Sequence, residues 1–355
     1  MHRPTGGGAR GSREGEVRVF KQNVRDTISA LRLGAPISDG ALSILPLRST
    51  AHVSARYVLL GQAVSRGTLA IAEVSDAGSV PNLQAVNQGP WPVLIFDGEE
   101  LVGAKQNRIA NTTILVGVGK TILPVSCVEE GRWSHRTPAF RSGEYASHPG
   151  LRRAKERQVR ERGMAEASRR AGSVNPGAFP GEAQHLRAER FGADQGRVWG
   201  EVARTARLMK SKSPTMAMAD TYETAKDELT RIVQVFQPDI LPAPNDTVGA
   251  LVFIADEFVC LDLLQPAKRF LRLYPKLLRG YAFEALLHKV AEPKEFDAEA
   301  SALRLFAEIL EAKVEDQAAV DLGRDLRLET KRVSGAGLVW EQELIQLSIF
   351  PRVAA

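Results

Sequence analysis

Apolar positions along the chain change rhythm twice. Residues 37–133 hold short apolar runs broken by turn residues, among them Ala41–Leu45, Leu69–Val74, Pro92–Phe96, Thr112–Val118 and Thr121–Val128. β-branched enrichment and flanking Gly and Pro predict short strands there. Tyr57–Val64 is a further short apolar stretch, and Pro46 is expected to end the first strand. Two helical patterns follow. Gln195, Trp199, Val202, Ala206 and Met209 alternate spacings of four and three behind a candidate N-cap, Asp194. Met218, Tyr222, Ala225, Leu229, Ile232 and Phe236 repeat that rhythm, with Ser213–Pro214 as the expected start and Pro238 as the expected stop. Val248–Ile254 and Phe258–Leu264 around Ala-Asp-Glu predict a β-hairpin. Residues 265–288, with a break before Pro275, and residues 298–312 predict helices. Leu326–Thr330, Gly337–Trp340 and Leu344–Phe350 predict closing strands. Helices clustered between strand-rich ends indicate α+β rather than alternating βαβ units.

This pattern divides the chain into a disordered tail (residues 1–20), a main domain (34–290) and a C-terminal extension (291–355) that could share its core. Within the main domain the parts are β-rich (37–133), basic helix and linker (134–192), and helical with a hairpin (193–290). Residues 16–34 predict a short helix stopped at Gly34, and residues 172–181, with two prolines and three glycines, a linker.

Composition alters this picture little. Hydrophobic residues make up 44% and charged residues 25%, an ordinary globular balance, while 6% aromatics imply an aliphatic core. Two cysteines, Cys127 and Cys260, make no disulfide framework and suit a reducing, cytoplasmic setting. No apolar run approaches the roughly 18 residues of a membrane helix. The Gly- and Arg-rich residues 1–15 lack the apolar centre of a secretory signal. The net charge of +5 is local: residues 152–170 hold eight basic and three acidic side chains. Interleaved glutamates and missing aromatics argue against nucleic-acid binding and predict a solvated helix face.

Candidate chemistry collects in three clusters. Asp97-Gly98-Glu99-Glu100 precedes Lys105-Gln106-Asn107-Arg108 and Asn111. Asp-Gly alone would suit an exposed hairpin tip. The consecutive donors suit a phosphate-bearing ligand, with Lys105 and Arg108 on phosphate and Gln106, Asn107 and Asn111 on sugar or base. The second cluster runs from Ser126 to Trp133. Glu129 joins Asp97 and Glu99 as acid/base candidates or Mg²⁺ ligands, and Arg132 and Trp133 could clamp or stack. Cys127 could be a nucleophile if a histidine such as His135 activated it, although a buried inert thiol is the plainer reading. The third cluster is Asp194-Gln195 with Ser213 and Thr215, at two helix starts that could cradle an anion or be simple caps. No Walker loop, GxGxxG turn, HExxH, GxSxG elbow or zinc spacing occurs.

FDGEELVGAKQNRIANTTILV (96–116), PVSCVEEGRW (124–133), ADQGRVW (193–199) and SPTMAM (213–218) resemble the ADP-ribosylglycohydrolase- and rhodanese-phosphatase-associated domain family. EVSDAGSVPNLQAVN (73–87) and LLRGYAFEAL (277–286) are similar to it too, so the resemblance spans roughly residues 34–288. Residues 173–190 form a longer stretch than the family pattern, and the segment after Glu292 lies beyond the resembling region. The resemblance implies an intracellular domain linked by association to NAD⁺ or ADP-ribose metabolism. It implies a domain that binds, and could hydrolyse, a phosphate-bearing nucleotide derivative. The alternative is a non-catalytic ligand sensor or protein-interaction scaffold.

Overall fold

A computed structural model describes residues 8–75, 81–134, 137–170, 180–240, 246–288 and 296–352. Helix α1 (Gly8–Ser29) leads into β1 (Arg32–Leu33), β2 (Ile37–Asp39) and β3 (Leu42–Arg48). The strand-rich region continues through β4 (Val58–Leu59), α2 (Leu60–Ser65), β5 (Leu69–Glu73), β6 (Asn82–Asn87), β7 (Val93–Ile95) and β8 (Glu99–Gly103). It ends with β9 (Arg108–Ala110), β10 (Ile114–Val116), β11 (Gly119–Cys127) and β12 (Phe140–Ala146). Helices α3 (Pro149–Arg170), α4 (Pro180–Arg190), α5 (Gln195–Leu208), α6 (Met218–Thr224) and α7 (Lys226–Ile240) follow. The hairpin β13 (Thr247–Ile254) and β14 (Glu257–Leu264) precedes α8 (Ala267–Leu287) and α9 (Ala298–Leu310). Strands β15 (Lys313–Ala318), β16 (Arg324–Glu329), β17 (Val333–Trp340) and β18 (Glu343–Pro351) complete the α+β fold.

The main sheet runs β1-β3-β13-β14-β18-β17-β16-β15, with β2 beside β3, and all its pairs are antiparallel. β18 lies between β14 and β17, so residues 313–351 share this sheet with residues 32–48. A six-stranded sheet, β12-β8-β9-β11-β6-β5, and a three-stranded one, β10-β7-β4, make up the rest. β13 is buried along its whole length because both faces of the main sheet are covered. Ala250, Val252 and Ile254 pack with Phe270, Leu273 and Leu277 of α8. Val248, Leu251 and Phe253 pack with Val24 and Ile28 of α1 and Leu305 and Phe306 of α9. Full burial of such side chains contributes about 1.5–3 kcal/mol each. Among the described residues no helix is long and apolar enough to cross a membrane.

Tertiary contacts override several local signals. α1 begins at Gly8, within the stretch that composition assigns to a disordered tail, and ends at Ser29 rather than Gly34. Its buried Val24 and Ile28 anchor a helix that continues backward from them; residues 1–7 lie outside the described residues. Pro46 sits inside β3 instead of ending it. Its carbonyl accepts the Gly34 N–H in the gap between β1 and β2, so its own missing donor faces no ladder partner. Ser213–Pro214 does not start a helix. The Ser213 hydroxyl takes the Ala217 N–H and donates to Asp220, while Met218 N–H bonds Val128 O and Gly131 N–H bonds Thr215 O. Those bonds hold 213–217 in a turn, with Met216 at φ 51°, and delay α6 to Met218, while a separate helix, α7, runs past Pro238. α8 is unbroken at Pro275, because Phe270, Tyr274, Leu277 and Leu278 are buried around it and outweigh the roughly 3 kcal/mol a mid-helix proline costs. The linker read at 172–181 lies mostly outside the described residues, and α4 begins at Pro180. Strands β6, β8, β9 and β15 carry no period-2 signal strong enough to stand out in the sequence.

The basic helix is the largest correction. Arg152, Lys155 and Glu156 of α3 are buried, not solvated. Arg152 makes two 2.7 Å bonds to Asp262 of β14 and one of 3.2 Å to Asp97, and Lys155 reaches Asp97 at 2.8 Å. Asp262 also accepts from Tyr281 and Ser348. Asp262→Asn leaves a buried guanidinium without its charge partner. It is expected to lower unfolding free energy by about 3–5 kcal/mol, read as a reduced urea midpoint with unchanged slope.

Candidate functional site

The β8–β9 turn presents the first cluster. Gly103 (φ 144°) and Ala104 (φ 38°) turn the chain sharply. A Cβ on Gly103 would meet Ala139 O and Thr137 Oγ1 at 2.7 Å, so only glycine fits there. β9 then pairs with β11 so that Arg108 faces Cys127. This register lays residues 105–108 against 129–133, and Val128 N–H bonds Asn107 O. Gln195 at the start of α5 docks on the same strand end. Its amide accepts the Cys127 N–H and donates to the Cys127 carbonyl, both at 2.8 Å. Thr215 completes the group with a 3.0 Å bond to Glu129 Oε1.

Most of these side chains are closely paired. Glu129 Oε2 takes Arg132 at 2.7 Å and the Asn107 N–H at 3.1 Å. Arg132 also donates to Asn107 Oδ1, Ala104 O and Ser134 O. Burial alone would raise the Glu129 carboxyl, but Arg132, the Asn107 N–H and Thr215 outweigh it and hold it below the usual range. Gln106 donates to Glu129 O at 2.8 Å and accepts from Arg108 Nη1 at 2.9 Å and from the Cys127 thiol at 3.1 Å. Burial pushes that thiol up, against the pull of the Glu129 backbone, Arg108 and Trp199. A thiolate nucleophile does not fit this setting, and His135 lies outside the described residues.

Other candidates serve elsewhere. Asp97 is held by Arg152 and Lys155, and Glu99 by Lys276 at 2.9 Å and the Phe96 N–H. Both are buried, which overturns the exposed-hairpin reading. Asn111 links Phe191 O to Ser126. Asp194 caps α5 through the Arg197 N–H, occupying the donor an anion would use there. Ser213 is spent on its own turn. Among the described residues no three His, Cys, Asp or Glu side chains gather in a metal-holding group.

Unpaired atoms remain in one part of the cluster. Arg108 Nε and Nη2, Arg132 Nε and both carboxylate oxygens of Glu73 are buried without hydrogen-bond partners. Glu73 Oε1 stands 3.9 Å from Arg108 Nη2, too far for a bond. Burial lowers the Arg108 pKa, with Cys127 and Glu73 acting against it. Above them lies Trp133, 50% exposed, with Lys105 Nζ 5.3 Å and Arg108 Cζ 5.9 Å from its ring centroid. Glu73 was not among the sequence candidates, although Leu69, Ile71 and Glu73 share one face of β5, where an acid after two buried aliphatics is a signal.

The family model described as ARG and Rhodanese-Phosphatase-superfamily-associated Protein domain matches residues 30–350, and the chain belongs to this family. The match takes in residues 291–350, beyond the region of the sequence resemblance. Neither the curated proteins nor the solved structures yield a match.

Glu100 borders the cluster through Asn107 Nδ2. Burial raises its pKa from 4.5 to about 8, with Arg141, Asn107 and Lys276 opposing and Glu129 assisting. A raised carboxyl binds its proton more tightly in the folded chain, so its contribution falls as pH rises from the unfolded value to about 8. The loss across that window is at most about 1.4 kcal/mol for each pH unit. Glu100→Gln imitates the protonated acid. It is expected to flatten this part of the pH–stability curve and to exceed the wild type in stability above about pH 8. Parallel curves for the two proteins would refute it.

Proposed function

We propose that this family member binds a phosphate-bearing nucleotide derivative, ADP-ribose being the first candidate, at Trp133 and the underlying Arg108–Glu73 pair. The observation that carries the reading is the set of buried, unpaired atoms on Arg108 and Glu73 beside a half-exposed indole. A buried polar atom without a partner costs about 1–3 kcal/mol, which a ligand pairing it would return. Trp133 offers a stacking surface for a base, Lys105 and Arg108 complement phosphate, and Glu73 complements ribose hydroxyls. Lys105 and Trp133 form the outer layer, so access to Arg108 requires them to part.

Binding is favoured over hydrolysis because Asp97, Glu99 and Glu129 are each committed to cationic partners. A Mg²⁺ ion would have to displace Lys155, Lys276 or Arg132 from them. The reading is therefore a ligand sensor rather than a hydrolase, in the cytoplasm, where two buried free cysteines stay reduced. The ADP-ribose assignment rests on the association in the family's name.

Thermal shift with ADP-ribose, NAD⁺ and ribose 5-phosphate tests it. A hundredfold excess over Kd contributes about 2.7 kcal/mol, a rise of about 2–4 °C for a chain this size. Trp133→Ala is expected to abolish the shift and leave the unliganded Tm nearly unchanged. Arg108→Ala is expected to lower that Tm itself, because it empties a buried site and strands Glu73. A full shift retained in Trp133→Ala, or none with any compound in the wild type, rejects the site. A shift independent of Mg²⁺ separates sensor from metal-dependent enzyme.

A further inference from the structure

A cavity of about 600 Å³ opens where the 52–58 segment, the end of α2 and the start of α8 meet. It shares no lining residue with the Trp133 cluster, and its volume falls within the roughly 300–1,000 Å³ of small-molecule sites. Its cationic lining residues are Arg56, Arg66, Lys268 and Arg269, with His52 beside them, and no Asp or Glu lines it. Arg56, Arg66 and Lys268 have no carboxylate partner among the described residues. Arg269 donates to Gln62 Oε1 at 3.2 Å and lies over the Tyr57 ring, while its Nε is buried and unpaired. Glu343, which bonds the 54–55 backbone, is already occupied by the Ser54 N–H and hydroxyl and the Ala55 N–H.

Two further features suit the cavity to an anion that carries a flat ring. The first turn of α8 has no capping side chain and no acidic residue, so its free N–H groups and the helix dipole also favour an anion. Trp91, 43% exposed, lines the wall with Arg56 Cζ 5.9 Å from its ring centroid. A second cavity of about 650 Å³ between α3, α5 and the end of α8 is rich in arginine too. There, however, Arg204, Arg157 and Arg160 are paired with Glu201, Glu161 and Glu329. Clustered cations without counter-charges repel one another at a cost to the fold, and a multiply charged anion removes that repulsion.

We propose that the cavity at Trp91 binds a nucleoside polyphosphate, its phosphates on Arg56, Arg66, Lys268, Arg269 and the first turn of α8, and its base on Trp91. Four side-chain cations exceed what a single phosphate needs, and the exposed indole gives a flat partner that inorganic polyphosphate lacks.

Isothermal titration with ATP, AMP, tripolyphosphate and a short single-stranded oligonucleotide tests this. ATP is expected to bind more tightly than AMP and than tripolyphosphate. Arg66→Glu and Lys268→Glu change exposed side chains and are each expected to weaken ATP by about tenfold or more. Trp91→Ala should bring ATP down to the affinity of tripolyphosphate. Repeating the titrations on Trp133→Ala removes the site proposed above, and the losses caused by Arg66→Glu and Lys268→Glu should persist there, which separates the two sites. No ATP binding to the wild type, unaltered affinity in both charge reversals, or binding of the oligonucleotide alone would each overturn the proposal.

Discussion

The bidentate contact between Arg152 and Asp262 joins parts of this molecule that come from distant stretches of the chain. It fastens α3 to β14 in the main sheet, and Ser348 of β18 and Tyr281 of α8 bond the same carboxylate. The guanidinium lies between Phe96 and Phe350, 5.0 and 5.2 Å from their centroids. Its Nε turns to Asp97, which Lys155 also holds, and Lys155 in turn reaches Ala110 O in β9. One buried charge cluster thus ties the main sheet to the strands that carry the candidate site. Burying such charges is costly unless every lone pair and proton finds a partner, and here the surrounding elements supply the partners.

The Glu129–Arg132–Asn107–Gln106 network uses the same chemistry to a different end. Around Asp97 and Asp262 the carboxylate oxygens are all bonded. Around Arg108 and Glu73 they are not. A saturated network rigidifies, whereas an unsaturated one keeps capacity for something else. This difference, rather than residue type, separates a structural charge cluster from a candidate binding site.

Much of the framework is legible in the sequence because its signals are local. Asp194 caps α5 as its spacing indicates, and the β13–β14 hairpin turns through Ala255 and Asp256, both at positive φ. Local signals fail where a distant strand competes. Ser213–Pro214 looks like a helix start, but residues 215–218 bond to 128–131 instead. Likewise, no pattern within 152–170 shows that Arg152 meets a carboxylate 110 positions away. The polar clusters stand out in composition; their meeting depends on the pairing of Arg108 with Cys127, which is a matter of register. Asp97 and Glu99 looked like chemistry because buried ion pairs and active sites use the same residues.

The order of strands in the main sheet has a consequence for how the chain acquires its shape. β3 finds β13 only after roughly two hundred residues have emerged, and β14 waits for β18 until residues 343–351 exist. Contacts of such sequence separation make for slow folding. During synthesis β14, with its apolar FVCLDLL run, has an open edge on the side that β18 later covers. An edge of that kind can recruit a neighbouring nascent chain. Pairing with β18 closes that edge, so an earlier strand depends for its cover on a later one.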